Sequence, residues 1–175
     1  MTTTAISLAD LSQATKGYLD DEVTVEIARI TENVETGEEG TFTVRVTNAG
    51  APRGIRLHDV TVHLTVARGA ICKLDPFVAT LLETRGGGSR SDPRLPLNED
   101  VAEMYVFFPE DSTGLEPTDV LEPGEVIEFQ VTYRGGDRAG TTGLTAHVHA
   151  SVRLEELFPR TRGRDAEADI QILRG

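Results

Sequence analysis

The sequence predicts an all-β protein built as a sandwich of two sheets, and three observations carry that prediction. Apolar and polar residues alternate over long stretches: Phe42, Val44 and Val46 against Thr41, Thr43, Arg45 and Thr47, then Val60, Val62, Leu64 and Val66 against Asp59, Thr61, His63 and Thr65. A period of two lines one face of a strand with apolar side chains and gives the other to water. The stretches are separated by turn-forming residues, as in Ala49-Gly-Ala-Pro-Arg-Gly54. No helix-rich region and no internal repeat interrupts them. Half-buried strands do not cover their own apolar faces, so a second sheet must do so.

The totals agree with this. A chain of 175 residues suits one domain with a real core, and an apolar fraction of 38% with no Trp makes that core from Val, Leu and Ile. Seventeen glycines and eight prolines fit a turn-rich chain. The formal net charge of −12 repels nucleic acid and anionic membrane over most of the surface, so neither is an expected partner. Cys72 is the only cysteine, which excludes an intrachain disulfide and a cysteine-based zinc site and marks it as a small buried hydrophobe. Met1 to Ser7 lacks the basic region and apolar core of a secretory signal, and no stretch approaches a membrane span. The expectation is a chain made in the cytoplasm, belonging to a particle that is released from or displayed outside the cell, with no membrane insertion.

Residues 1–21 form an N-terminal arm distinct from the rest of the chain. Ser7 suits an N-cap, and Leu8, Leu11 and Tyr18 spread along one side of a short helix that Gly17 and Asp20-Asp21 are expected to end. The arm is expected to dock on its own sandwich or on a neighbour. Residues 22–175 form the sandwich. Val23, Val25 and Ile27 share a first strand, and the slip of phase at Ile30 predicts a bulge or kink where the chain changes sheet. The strands of Phe42 to Val46 and Val60 to Val66 come next. Beyond Val66 the pattern loosens through Leu82, leaving room for a short edge segment, and residues 84–100 read as a long polar loop carrying Arg85, Arg90 and Arg94. Val101 to Phe108 is apolar on both parities, with Tyr105 and Phe107 on one of them, and wants cover on both sides. Leu121-Glu-Pro-Gly-Glu125 turns into a strand with Ile127, Phe129, Val131 and Tyr133 facing one way. Leu144, Ala146, Val148, Ala150 and Val152 face inward on the next strand, while His147 and His149 face out. A loop from Leu154 to Arg164 carries Arg160, Arg162 and Arg164, and a last strand from Ala166 to Leu173 brings the count to about seven, as in an immunoglobulin-like β-sandwich.

Those pieces resemble a known bacterial type. Gly40-Thr-Phe-Thr-Val-Arg-Val-Thr-Asn-Ala-Gly50, the Leu121-Glu-Pro-Gly-Glu125 turn and Leu144-Thr-Ala-His-Val-His-Ala150 are similar to the strands and turns of immunoglobulin-like modules of the CARDB and DUF11 kind. The likeness extends loosely over residues 22–173, and its motifs are fold motifs rather than catalytic ones. It implies a spacer, an adhesive unit or an assembly part. The chain departs from the pattern by standing alone, by lacking an export signal and by inserting residues 67–120.

Candidate chemistry is sparse. In an immunoglobulin-like order the strands holding His63 and His147/His149 are neighbours, and the three imidazoles point away from the core. Three imidazoles can hold Zn²⁺ or Ni²⁺, but flat outer faces rarely converge ligands, and no carboxylate has an obvious place behind them. Solvated or interface histidines, with no metal and no cofactor, are therefore expected. The sequence holds no Gly-x-Ser-x-Gly, phosphate loop or His-Glu-x-x-His, so an enzyme is not expected. Calcium lacks its loop signature. Patches of opposite sign are more telling: arginines in the two loops, against Glu32, Glu35, Glu38 and Glu39 in another turn. The expected function is a non-enzymatic structural or adaptor subunit of a multi-copy assembly such as a phage, injection-type or coat particle. Its partners would be copies of itself or other subunits. Leu8, Leu11, Tyr18, Arg85, Arg90, Arg94, Tyr105, Phe107, Arg160, Arg162 and Arg164 would make the contacts. The alternative is an adhesive or ligand-binding module for glycan or calcium.

Overall fold

The structure, a computed structural model, describes residues 7–75, 80–84, 92–93, 102–107, 120–154, 157 and 159–175; the side chains of 80–84, 92–93 and 105–107 are outside that description. Helix α1 spans Leu8–Glu22 and opens on Ser7, whose Oγ accepts from the Asp10 N–H at 3.1 Å. It passes through Gly17 and ends only where the chain extends at Val23, so neither Gly17 nor the Asp20-Asp21 pair stops it. An exposed glycine weakens a helix without breaking it, and here packing overrides propensity. Leu11, Thr15 and Leu19, at intervals of four, are buried on one face against the sandwich, and beside them Lys16 pairs with Asp20 at 3.2 Å and donates to the Arg162 carbonyl at 3.1 Å.

The strands are β1 (Val23–Ala28), β2 (Val34–Glu35), β3 (Glu39–Asn48), β4 (His58–Val66), β5 (Cys72–Leu74), β6 (Thr80–Thr84), β7 (Asp92–Pro93), β8 (Glu103–Phe107), β9 (Val126–Gly135), β10 (Gly140–Ser151) and β11 (Arg160–Leu173). One sheet runs β1-β3-β9-β5, with β6 also on β9; the other runs β2-β11-β10-β4-β8-β7. Pairing is antiparallel except for the short β2–β11 contact. The seven expected strands are β1, β3, β4, β8, β9, β10 and β11. The chain leaves β1 at Arg29, whose φ is +52°, and β2 joins the opposite sheet, so the phase slip at Ile30 does mark a change of sheet.

The final strand departs from expectation. It begins at Arg160 rather than Ala166, so Arg160, Arg162 and Arg164 stand on a strand and not in a loop. Most of the long loop 84–100, with Arg85, Arg90 and Arg94, lies outside the described residues, as do the side chains of Tyr105 and Phe107.

The alternating sets meet between the sheets. Phe42, Val44 and Val46 of β3 and Phe129, Val131 and Tyr133 of β9 face Val60, Val62 and Leu64 of β4 and Leu144, Ala146 and Val148 of β10, all buried. Cys72 is fully buried among them, as its sequence context predicts. Glu122-Pro-Gly-Glu125 closes with the Glu125 N–H on the Glu122 carbonyl at 3.0 Å, and Gly124 supplies the positive φ of +81° that follows a proline in a type II turn.

Candidate functional site

The outer face of the second sheet carries the histidines. His63 of β4 and His147 of β10 are direct register partners, and His149 lies two residues along β10 on the same face. A regular strand would hold these rings apart on a flat surface, but two irregularities flank them. Between His147 and His149 the β11 partner advances from Asp165 to Arg162, three residues against two. Between His149 and Ser151 the β4 partner moves from Thr61 to His58, again three against two, around Asp59 with its φ of +54°. Such bulges bend the strands and re-aim side chains.

The imidazoles therefore converge. His63 Nδ1 lies 2.8 Å from His147 Nε2, the His147 ring centroid stands 4.5 Å from that of His63 and 5.0 Å from that of His149, and one ring nitrogen from each of the three falls within 4.8 Å of the others. His147 is buried at 3% exposure although it faces away from the core. Of the solvated or interface histidines that the sequence leads one to expect, His147 is not solvated, and His63 and His149 are only partly exposed.

Carboxylates also back the rings, where the sequence offered no obvious candidate. Glu103 Oε1 is 2.6 Å from His63 Nε2, and Asp165 Oδ1 is 3.3 Å from His147 Nδ1 without hydrogen-bond alignment. Two arginines border the cluster: Arg162 donates to Asp165 Oδ1 at 2.6 Å and Arg160 donates to the Thr61 hydroxyl. Burial holds His147 down to about 4, reinforced by the Arg162 guanidinium and the neighbouring imidazoles and opposed by Asp165. Burial, then Arg160, His63 and Arg162, hold His149 at about 4 as well. Both rings are neutral at physiological pH.

Glu103 was detectable in principle. It stands two residues before Tyr105, the register partner of His63, and so shares that face. Asp165 was not, because the bulge in β11 decides which residue meets His147. Of the residues expected at contacts, Leu11 is buried against the chain's own sandwich, and the Tyr18 hydroxyl bonds Asn48 and Ile55. Leu8 stays exposed, and Arg164 approaches Asp21 at 3.9 Å.

No protein-family model matches the chain, and no curated protein matches it in sequence. Solved structures do match in fold. AvmM, which catalyzes macrocyclization in alchivemycin A biosynthesis, aligns over 89% of this chain and 91% of its own with a TM-score of 0.53 and 17% identity. The full-length major pilin SpaD from Corynebacterium diphtheriae aligns over 85% of this chain and 34% of its own with a TM-score of 0.56 and 9% identity. The fold is an immunoglobulin-like β-sandwich. A CARDB domain from Pyrococcus furiosus, of the PF1109 protein in complex with di-metal ions, is also among the matches, over 98% of this chain and all of its own, with a TM-score of 0.45 and 14% identity. At such identities the likeness speaks for the sandwich and leaves its partners to be argued from its own surface. No helix among the described residues is long and apolar enough to cross a membrane.

Proposed function

We propose that this sandwich is a protein-interaction subunit that associates with copies of itself in a multi-copy assembly, a phage, injection-type or coat particle being the kind it suits. The observation that carries the reading is the placement of charge along β11. Glu35 pairs with Leu173 at one end of that strand, among the exposed Glu32, Glu38 and Glu39, while exposed Arg160, Arg162 and Arg164 begin it at the other. Fourteen residues of extended chain separate the two patches by roughly 40 Å. Opposite charges at opposite ends favour a head-to-tail contact that repeats. The likeness to a major pilin supports the same reading. Analytical ultracentrifugation at micromolar concentration tests it. Self-association that weakens with added salt and is abolished by Arg164→Glu is expected; a monomer at low and high salt alike overturns it.

A second reading, catalysis on a small molecule, is favoured by the AvmM match, which spans nearly the whole of both chains, together with the cluster of converging imidazoles backed by carboxylates. A small-molecule thermal-shift screen tests it. Ligands that raise the melting temperature of the native chain but not of His63→Gln support catalysis at this face, and none doing so counts against it.

A further inference from the structure

We propose that His63, His147 and His149 form a binding site for a divalent transition-metal ion, zinc in the first instance, coordinated by three imidazoles and a solvent ligand. The site is independent of whether the chain self-associates.

The positions of the ring protons point to an ion. Glu103 faces His63 Nε2 at 2.6 Å, so the proton of the neutral ring sits there and a lone pair is left on His63 Nδ1. That lone pair faces His147 Nε2 at 2.8 Å. If His147 keeps its proton on Nδ1, toward Asp165, two lone pairs confront each other across that gap. If the proton moves to Nε2 and is donated to His63, a buried lone pair on His147 Nδ1 faces the Asp165 carboxylate at 3.3 Å, with no hydrogen bond made. Each neutral arrangement leaves a nitrogen of the buried His147 unsatisfied, which is unfavourable. A dication between the facing nitrogens relieves it. It takes the lone pairs of His63 Nδ1 and His147 Nε2, while Glu103 accepts from the far side of the His63 ring and the Asp165 carboxylate faces His147 Nδ1 at 3.3 Å, as carboxylates stand behind ligating histidines in zinc sites.

The geometry is close to what this requires. Zinc–nitrogen bonds of about 2.1 Å in a tetrahedron put ligand nitrogens about 3.4 Å apart, so the facing pair has only to open by about 0.6 Å. One ring nitrogen from each of the three histidines lies within 4.8 Å of the others, and the ligands rise from two paired strands rather than from loops. Imidazoles without thiolate select zinc, nickel or copper over calcium or magnesium. The formal charges bordering the cluster sum to zero: Arg162 is turned to Asp165, Arg160 to Thr61, and Glu103 and Asp165 balance the two.

The test is a zinc titration of chelator-stripped, desalted full chain by calorimetry, repeated against a chromophoric competitor. One ion per chain with micromolar or tighter affinity is expected, together with a zinc-dependent rise in melting temperature. Co²⁺ loading should give the visible absorption bands of a tetrahedral ion. His63→Gln and His149→Gln should each lose most of the affinity, Glu103→Gln about tenfold, and His58→Gln none. Unchanged far-ultraviolet dichroism of each metal-free variant separates lost binding from lost fold. Absence of both heat and thermal shift in the unaltered chain overturns the site on its own, as does equal affinity in a folded His63→Gln.

Discussion

The hydroxyl of Tyr18 donates to the side-chain oxygen of Asn48 at 2.5 Å, joining residues thirty apart in sequence. Asn48 in turn donates to the carbonyls of Ile55 at 2.7 Å and Leu121 at 3.0 Å, and the Tyr18 oxygen accepts from the Ile55 N–H at 2.9 Å. One buried amide thereby fastens the N-terminal helix, the crossover after β3 and the approach to β9.

Asn48→Ala strands those partners in a site that is 1% exposed, and should cost roughly 2–4 kcal/mol. Tyr18→Phe removes a single hydroxyl and should cost about 1 kcal/mol. Urea unfolding measures both, and a double mutant whose loss is smaller than the sum of the singles would reveal their coupling. Equal small losses would mean that the node contributes little.

Two glycines should respond in opposite directions to the same added methyl. At Gly40 a Cβ would stand 2.5 Å from Cζ of the fully buried Tyr133 and 2.9 Å from Val34 Cγ2, endangering the 2.9 Å bond from the Tyr133 hydroxyl to the Thr31 carbonyl. Gly40→Ala should destabilise by roughly 2–4 kcal/mol. Gly17 sits in the helix with nothing within 4 Å of the corresponding position, so Gly17→Ala should stabilise by about 0.5–1 kcal/mol. Thermal melts of the two variants shifting the same way would contradict this.

Leu19 is fully buried and belongs to the sandwich core although it lies in the arm. Leu19→Ala should therefore destabilise the whole domain by about 2–5 kcal/mol, in one cooperative transition. A separate early melting of helical signal, with the sheets unaffected, would show instead that the arm is an independent attachment.

The neutral histidines set an acid limit for the metal-free chain. His147 and His149 hold pKa values of about 4 when folded against 6.5 when unfolded, so the unfolded chain takes up protons first as pH falls. Stability should drop between pH 6.5 and 4 and show no further change from these groups below that. The rings are faced by His63 on β4, by Arg160, Arg162 and Asp165 on β11, and by Glu103 of β8 behind His63. Urea midpoints across this window, in chelator, should fall more steeply for the native chain than for His149→Gln; parallel profiles would refute the assignment. At the alkaline end burial lifts Tyr133 to about 12 from 10.0, so stability should also decline as pH rises through that interval.

Much of this protein is legible in its residues one strand at a time. Parity alone put Val60, Val62 and Leu64 inside and His63 outside, because successive side chains of an extended chain point to opposite faces whatever surrounds them. The same rule set His147 and His149 beside His63 once the strand order was guessed. It also wrongly implied a flat, wet face and a final strand beginning only at Ala166, since Arg160 to Arg164 carries no apolar alternation to announce it.

The convergence of the imidazoles depends on quantities that no short segment contains. Which residue of β11 meets His147 is decided by an extra residue near Gly163, which is buried where a Cβ would touch Val148 and Leu19. Parity is a local property of the backbone, so the sequence by itself determined the two layers and their inward faces. Register and bulges are settled by pairing and packing between distant strands, so only the tertiary structure decided that His63, His147, Glu103 and Asp165 share one cluster.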